Sequence, residues 1–129
     1  MTQSWHSVEN ATPYAWPLEG TWNTHNTAVI VIDMQRDFID PRGYFSSLGE
    51  SNAHLLSAVE PCRLFLQFAR EQGFFILHTR ESHRPELVDL NANKRIKAER
   101  NGSAIGSQGP LGRLLVRGEF GCDFFTGFE

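Results

Sequence analysis

No stretch of the chain constrains its fold as tightly as residues 27–35, Thr-Ala-Val-Ile-Val-Ile-Asp-Met-Gln. Ala28, Val29, Ile30, Val31 and Ile32 are five apolar residues in a row, four of them Val or Ile, and the run stops at Asp33. β-Branched side chains are stiff at χ1, which disfavours a helix and suits a pleated strand. An unbroken apolar run, without alternation, is the pattern of a strand buried on both faces, as in a parallel sheet. A parallel neighbour needs a long crossover, so a helix and a second strand should follow.

Both follow. Asp40-Pro41-Arg42-Gly43 marks a turn. Leu55, Ala58, Val59, Cys62, Leu66 and Ala69 then recur at helical spacing within residues 52–72, with Glu60, Arg63, Gln67, Arg70 and Glu71 on another face. Pro61 has no N–H and is a blemish in that pattern; because proline is tolerated in a first turn, a regular helix that starts only at Pro61 is the alternative. Gly73 is a stop signal. Phe74-Phe75-Ile76-Leu77-His78-Thr79 reads as the second strand, completing a βαβ unit. Residues 82–112 are polar and rich in Gly, Asn and Arg. They predict a long excursion over the sheet, with a short helix within 91–99, and a short strand or turn over 111–117. The fold class is therefore α/β, a doubly wound, Rossmann-like parallel sheet with helices on both faces.

A chain of 129 residues suits one domain, and ten Phe, three Trp and two Tyr supply apolar surface for a core. Residues 1–26 read as an arm with Pro13, Trp16, Pro17 and Trp22 as anchors, and residues 27–129 as the domain. A doubly wound sheet takes roughly 30 residues per strand–helix unit, so five or six strands need about 150 to 180. Two strong strands are present, and the last residues, Phe124-Phe125-Thr126-Gly127-Phe128-Glu129, carry no stop pattern. The expectation is a domain truncated after its first half. A net charge of −3 argues against a nucleic-acid partner, and no run is apolar enough to span a membrane. Two cysteines are too few for a disulfide framework, and no basic segment precedes an apolar one at the start, so a cytoplasmic setting is expected.

Asp33 is the first candidate for chemistry. Ligands of open parallel sheets bind beyond the carboxyl ends of the strands, and an acid at that position is partly desolvated, as suits a general base. The structural alternative is an acid that caps the next turn. Glu81 and His83 follow the second strand and are types that bind Zn or Mn, but no second histidine lies close beyond it, so no metal is expected. Cys62 falls on the apolar helix face. Cys122, between Gly121 and Asp123, has no His or Lys near it in sequence to activate it. Gln108-Gly109-Pro110-Leu111-Gly112-Arg113 lacks the Gly-Lys-Ser/Thr ending of a phosphate loop, which removes the support for a flavodoxin-like nucleotide site. Lys94, Arg95, Lys97 and Arg100 form a basic cluster, read as a solvated face, with guidance of an anionic substrate as the sharper reading.

Asp33-Met34-Gln35-Arg36-Asp37-Phe38, after its apolar strand, resembles the acid motif of the isochorismatase-like cysteine hydrolases, which share a D-x-Q-x-D-F pattern. His78-Thr79-Arg80-Glu81-Ser82-His83-Arg84-Pro85-Glu86-Leu87, then Asp89-Leu90 and Asn93-Lys94-Arg95, is similar to the biuret amidohydrolase branch. Pro13-Tyr14-Ala15-Trp16-Pro17 and residues 109–119 resemble the same branch. The resemblance implies an amidohydrolase with an Asp, Lys, Cys triad, acting on a small amide or ureido substrate such as biuret without a cofactor. Asp33 carries over as the catalytic acid/base, and Phe38 as a residue packing beside the substrate. The triad Lys and Cys match nothing here, and neither Lys94 nor Cys122 sits in their motifs. Homo-oligomers are implied for a completed protein. The alternative is a non-catalytic fragment that binds an intact homologue through its open sheet edge.

Overall fold

A computed structural model of the chain describes residues 23–129, apart from the side chains of Phe45 and Ser47. Pro13, Trp16, Pro17 and Trp22 of the expected arm lie outside the described residues.

The apolar run forms strand β1, Ala28–Ile32, and the second run forms β2, Phe75–Thr79. The two pair in parallel, in register from Ala28 opposite Phe75 to Ile32 opposite Thr79. Between them come two single-turn helices, α1 (Arg36–Ile39) and α2 (Tyr44–Ser47), and the long crossover helix α3 (Ala53–Glu71). After β2 the excursion contains α4, Ala92–Arg100, and a small antiparallel hairpin of β3 (Gln108–Gly109) and β4 (Gly112–Arg113). The α/β class and the parallel pair joined by a helix are thus as the sequence pattern requires.

Helix α3 fills the expected span of residues 52–72 almost end to end and settles the open question at Pro61. It begins at Ala53, well ahead of Pro61, which sits inside it. Proline has no amide to donate to the Ser57 carbonyl, yet the first turns persist because tertiary packing outweighs that loss. Leu56 and Val59 pack into the core, and Asn52 Nδ2 donates to the Ile39 carbonyl at 2.7 Å, tying the helix entry to α1. The end is as expected. Gly73 adopts φ 77°, its N–H reaches the Arg70 carbonyl, and the Phe74 N–H reaches that of Ala69, a Schellman ending.

The core lies on one face of the sheet. Ile39, Val59, Leu66 and Phe128 form its buried centre, flanked by Val31, Ile76, Met34, Phe38, Cys62, Phe124 and Phe125. The opposite face corrects the expectation of strands buried on both sides. Burial alternates along both strands, and Ile30, Ile32, Phe75 and Leu77 are 54%, 65%, 63% and 43% exposed. The described residues put no helix over that face, so residues of one parity along each strand remain in water.

The aromatic ending packs inward. Phe128 is fully buried, the Phe125 N–H donates to the Met34 carbonyl at 2.8 Å, and Phe124 bridges Gln35. Arg63 of α3 donates from Nε to the Thr126 carbonyl at 3.1 Å and lies 5.8 Å from the centre of the Phe128 ring. The segment thus occupies the groove between α3 and the residues that follow β1.

Candidate active site

The residues after β1 turn sharply and are held by the loops around them. Asp33 has φ 52°, a left-handed conformation that aspartate tolerates better than most residues. Its N–H donates to the carbonyl and hydroxyl of Thr79, at 3.3 and 3.2 Å. The Thr79 hydroxyl in turn donates to Asp33 Oδ1 at 2.7 Å. The last residue of β2 therefore orients the carboxylate at the end of β1, and among the described residues Oδ2 takes no hydrogen bond.

Two residues later the fully buried Gln35 acts as a clamp. Its amide nitrogen donates to the carbonyls of Glu81 (2.9 Å) and Cys122 (2.8 Å), and its amide oxygen accepts from the Glu81 N–H (2.7 Å). Three segments distant in sequence meet on one side chain. Asp37, also buried, accepts from the Leu115 N–H at 2.9 Å, and its own N–H donates to the Gly121 carbonyl at 2.7 Å. Burial pushes the Asp37 carboxyl above its ordinary value, against the lowering effect of the Leu115 bond, and nearby Glu119 adds to the rise. A Cβ on Gly121 would fall inside contact distance of Asp37 Oδ1, so that close approach requires glycine.

Asp33 and Phe38 line one cavity of about 350 Å³, together with Glu81, Lys94, Lys97 and Ser103. This is the lower end of the range for small-ligand sites. A second, smaller cavity of about 190 Å³ lies over Asp37 and the β3–β4 hairpin. The acid in that cavity is already bonded to Leu115, so the strand-end cavity is the better candidate.

Part of the charge in the candidate cavity is paired. Lys94 Nζ contacts Glu81 Oε1, and the same oxygen lies 3.0 Å from His83 Nε2. On the other side of the buried imidazole, His83 Nδ1 is 3.5 Å from Asp89 Oδ1. Both are close contacts whose angles fall outside hydrogen bonding, since neither ring nitrogen has a hydrogen-bond partner among the described residues. The Arg84 N–H holds the Asp89 carboxyl below the usual carboxylate range. With His83 between the two acids, Glu81 and Asp89 cannot converge on one ion. Among the described residues no three His, Cys, Asp or Glu side chains are placed to hold a metal.

The cysteines lie elsewhere. Cys62 packs against the core from α3. Cys122 is buried, its Sγ lies 3.8 Å from the Glu81 carbonyl, and burial pushes its thiol up to about 11. It lines a separate cavity with Arg80 and Asp123. Among the described residues the Asp33 cavity therefore holds two acids, Asp33 and Glu81, and two amines but no thiol.

A family model described as the isochorismatase domain matches residues 27–125. The chain belongs to the isochorismatase family. The match opens one residue before β1 and takes in Asp33, Gln35, Asp37, Phe38 and the α4 lysines. Membership places the chain with the hydrolases of the cysteine hydrolase superfamily. Asp33 and Phe38, the two site residues expected from the sequence, are brought to one cavity by the isochorismatase fold. Gln35, Asp37 and Thr79 lie inside the motifs, but their partners are set only by the fold. Gln35 and Asp37 are polar residues directly after a fully apolar strand, a position where burial demands partners. Lys94 and Lys97 were legible only as part of a basic cluster; α4 turns them toward the site.

Proposed function

We propose that this domain hydrolyses a C–N bond in a small amide or ureido compound such as biuret, with Asp33 as its acid/base. The observation that carries the reading is the Asp33 carboxylate, oriented by Thr79 at the end of β1 and opening with Phe38 onto a ligand-sized cavity. Asp33 takes the proton of a cysteine thiol, and the thiolate attacks the substrate carbonyl carbon. A lysine ammonium balances the two negative groups, and backbone N–H groups stabilise the oxyanion. The tetrahedral adduct expels the amine, which takes its proton from Asp33, and water then hydrolyses the acyl enzyme. In this reading neither Lys94 nor Cys122 fills the triad lysine or cysteine position, because neither sits in the motif that carries it. Phe38 packs beside the substrate, the setting is cytoplasmic, and the complete enzyme is a homo-oligomer.

The test has two steps. Sequencing the messenger RNA across codons 120–129 and downstream identifies the coding sequence to express. Ammonia release from biuret is then measured for that product and for its Asp33→Asn variant. Loss of turnover in the variant is expected; turnover that survives removes the role assigned to Asp33.

The exposed Ile30, Ile32, Phe75 and Leu77 favour a second reading, a non-catalytic fragment that docks on an intact homologue. Size-exclusion chromatography of the 129-residue chain co-expressed with such a homologue separates the two. A shared peak supports docking, and a well-behaved monomer counts against it.

A further inference from the structure

Arginines from α3 and from the end of β2 contact the aromatic segment after Cys122, and a histidine shares that segment with them. Residues 123–125 form a strap beside the turn that follows β1. The Arg36 N–H donates to the Asp123 carbonyl at 3.0 Å, and the Phe125 N–H donates to the Met34 carbonyl at 2.8 Å. Arg80 pairs with Asp123 at 2.9 Å and lies 5.0 Å from the centre of the Phe124 ring. From α3, Arg63 lies 5.9 Å from the centre of the Phe125 ring, and Arg70 donates to the Glu129 carbonyl at 3.1 Å.

The histidine is His78 of β2, which alternates with Leu77 and Thr79 onto the core face. Its ring meets Phe124 edge-on, with 5.3 Å between centres, and its Nδ1 is buried without a hydrogen-bond partner among the described residues. In register opposite it, β1 offers Val31, which has no charge. The Asp33 carboxylate is bonded to Thr79, which alternates to the other face. The acids of the aromatic segment, Asp123 and Glu129, are engaged by Arg80 and Arg36. Burial, and then the charge of Arg70, hold the imidazole below its ordinary value. A proton on His78 places a partly desolvated cation beside arginines, against a Phe124 ring that already faces Arg80.

We propose that His78 is a proton-operated latch on the 123–125 strap. Neutral, it seats Phe124 and keeps the strap paired with residues 34–36. Protonated, it expels Phe124, and the strap separates from that turn. The turn contains Gln35, whose amide also grips the Cys122 carbonyl, so acid loosens the carboxyl end of β1 as well. The latch does not depend on the chemistry assigned to Asp33. Because the folded value lies below the unfolded one, 6.5, its contribution is complete above 6.5 and is lost as pH falls through the folded value.

The test is hydrogen exchange of the 129-residue chain, followed by NMR from about pH 7.5 to about pH 4 and corrected for intrinsic rates. The Arg36 and Phe125 amides report the strap, and the Leu66 amide, within α3, reports the rest of the core. Protection of the first two is expected to fall in acid while that of Leu66 holds. The midpoint of the loss should coincide with the titration of the His78 ring, read from its carbon shifts. His78→Phe keeps a ring edge against Phe124 and takes no proton, so it should abolish the loss. His78→Gln, polar and uncharged, should abolish it too and covers the case in which the phenylalanine variant fails to fold. Strap protection that stays constant across the range overturns the proposal. So does a loss that survives either folded variant, one that follows the carboxylates near about pH 4 instead of the His78 ring, or one shared by Leu66.

Discussion

Replacing Gln35 with leucine keeps the buried volume and removes both ends of the amide. The change strands the Cys122 carbonyl and both backbone groups of Glu81, which Gln35 bonds at 2.7–2.9 Å. Three hydrogen bonds at a net value of about 1 kcal/mol each give a cost of about 3 kcal/mol. Glu81 is only partly buried, so water can repair some of its loss; Cys122 is buried and its carbonyl stays unpaired. The expected cost is therefore about 2 to 4 kcal/mol, a large share of the stability of a small domain. Urea denaturation followed by circular dichroism at 222 nm reads α3 directly. The midpoint should fall by about 1 to 3 M at an ordinary slope for this size. Gln35→Glu serves as a companion, since it turns a carboxylate oxygen toward two carbonyls. Burial and those carbonyls raise the folded pKa of the new acid, so its stability is kept below about pH 4.3 and lost as pH rises. A Gln35→Leu midpoint within about 0.5 kcal/mol of wild type would show that the amide does not hold the site together.

Three further outcomes are expected. The raised folded pKa of Asp37 means its stabilising contribution is complete below the unfolded value, 3.8, and is lost as pH rises through the folded value. Asp37→Asn removes that loss and can still accept from Leu115, so its stability relative to wild type should climb with pH above 4; a pH-independent difference between the two denaturation series would refute this. Phe128→Ala empties the centre of the core and should cost about 3 to 5 kcal/mol; a loss under about 1 kcal/mol would mean the aromatic ending is not packed as described. Cys122, with its thiol pushed up to about 11 from 9.0, holds about a hundredfold less thiolate at pH 8 than an ordinary cysteine. Iodoacetamide labelling mapped by mass spectrometry should leave it unmodified until urea is added, and rapid native labelling would contradict its burial.

Much of this was legible because the strongest signals were local. The β-branched run, the helical spacing of residues 52–72 and Gly73 each specify backbone conformation through neighbouring side chains, and β1, α3 and β2 appear where those signals lie. Pro61 left the start of α3 open because the local penalty of proline is outweighed by packing at Leu56 and Val59, which sequence does not display. The unbroken apolar run also promised two covered faces. Covering a face takes a second element, and the described residues place one on only one side.

The sequence by itself determined the parallel βαβ unit, the acid at the end of its first strand and the family motif, because each depends on residues close together in the chain. Tertiary structure decided which groups meet. Gln35 finds Glu81 and Cys122, Asp33 finds Thr79, and Lys97 and Ser103 share a cavity with Asp33 through loops that close over tens of residues. Burial of polar groups enforces those meetings, since each must find a partner wherever the folded chain supplies one. The Ser103 hydroxyl, which found none, is visible only once the fold has closed around it.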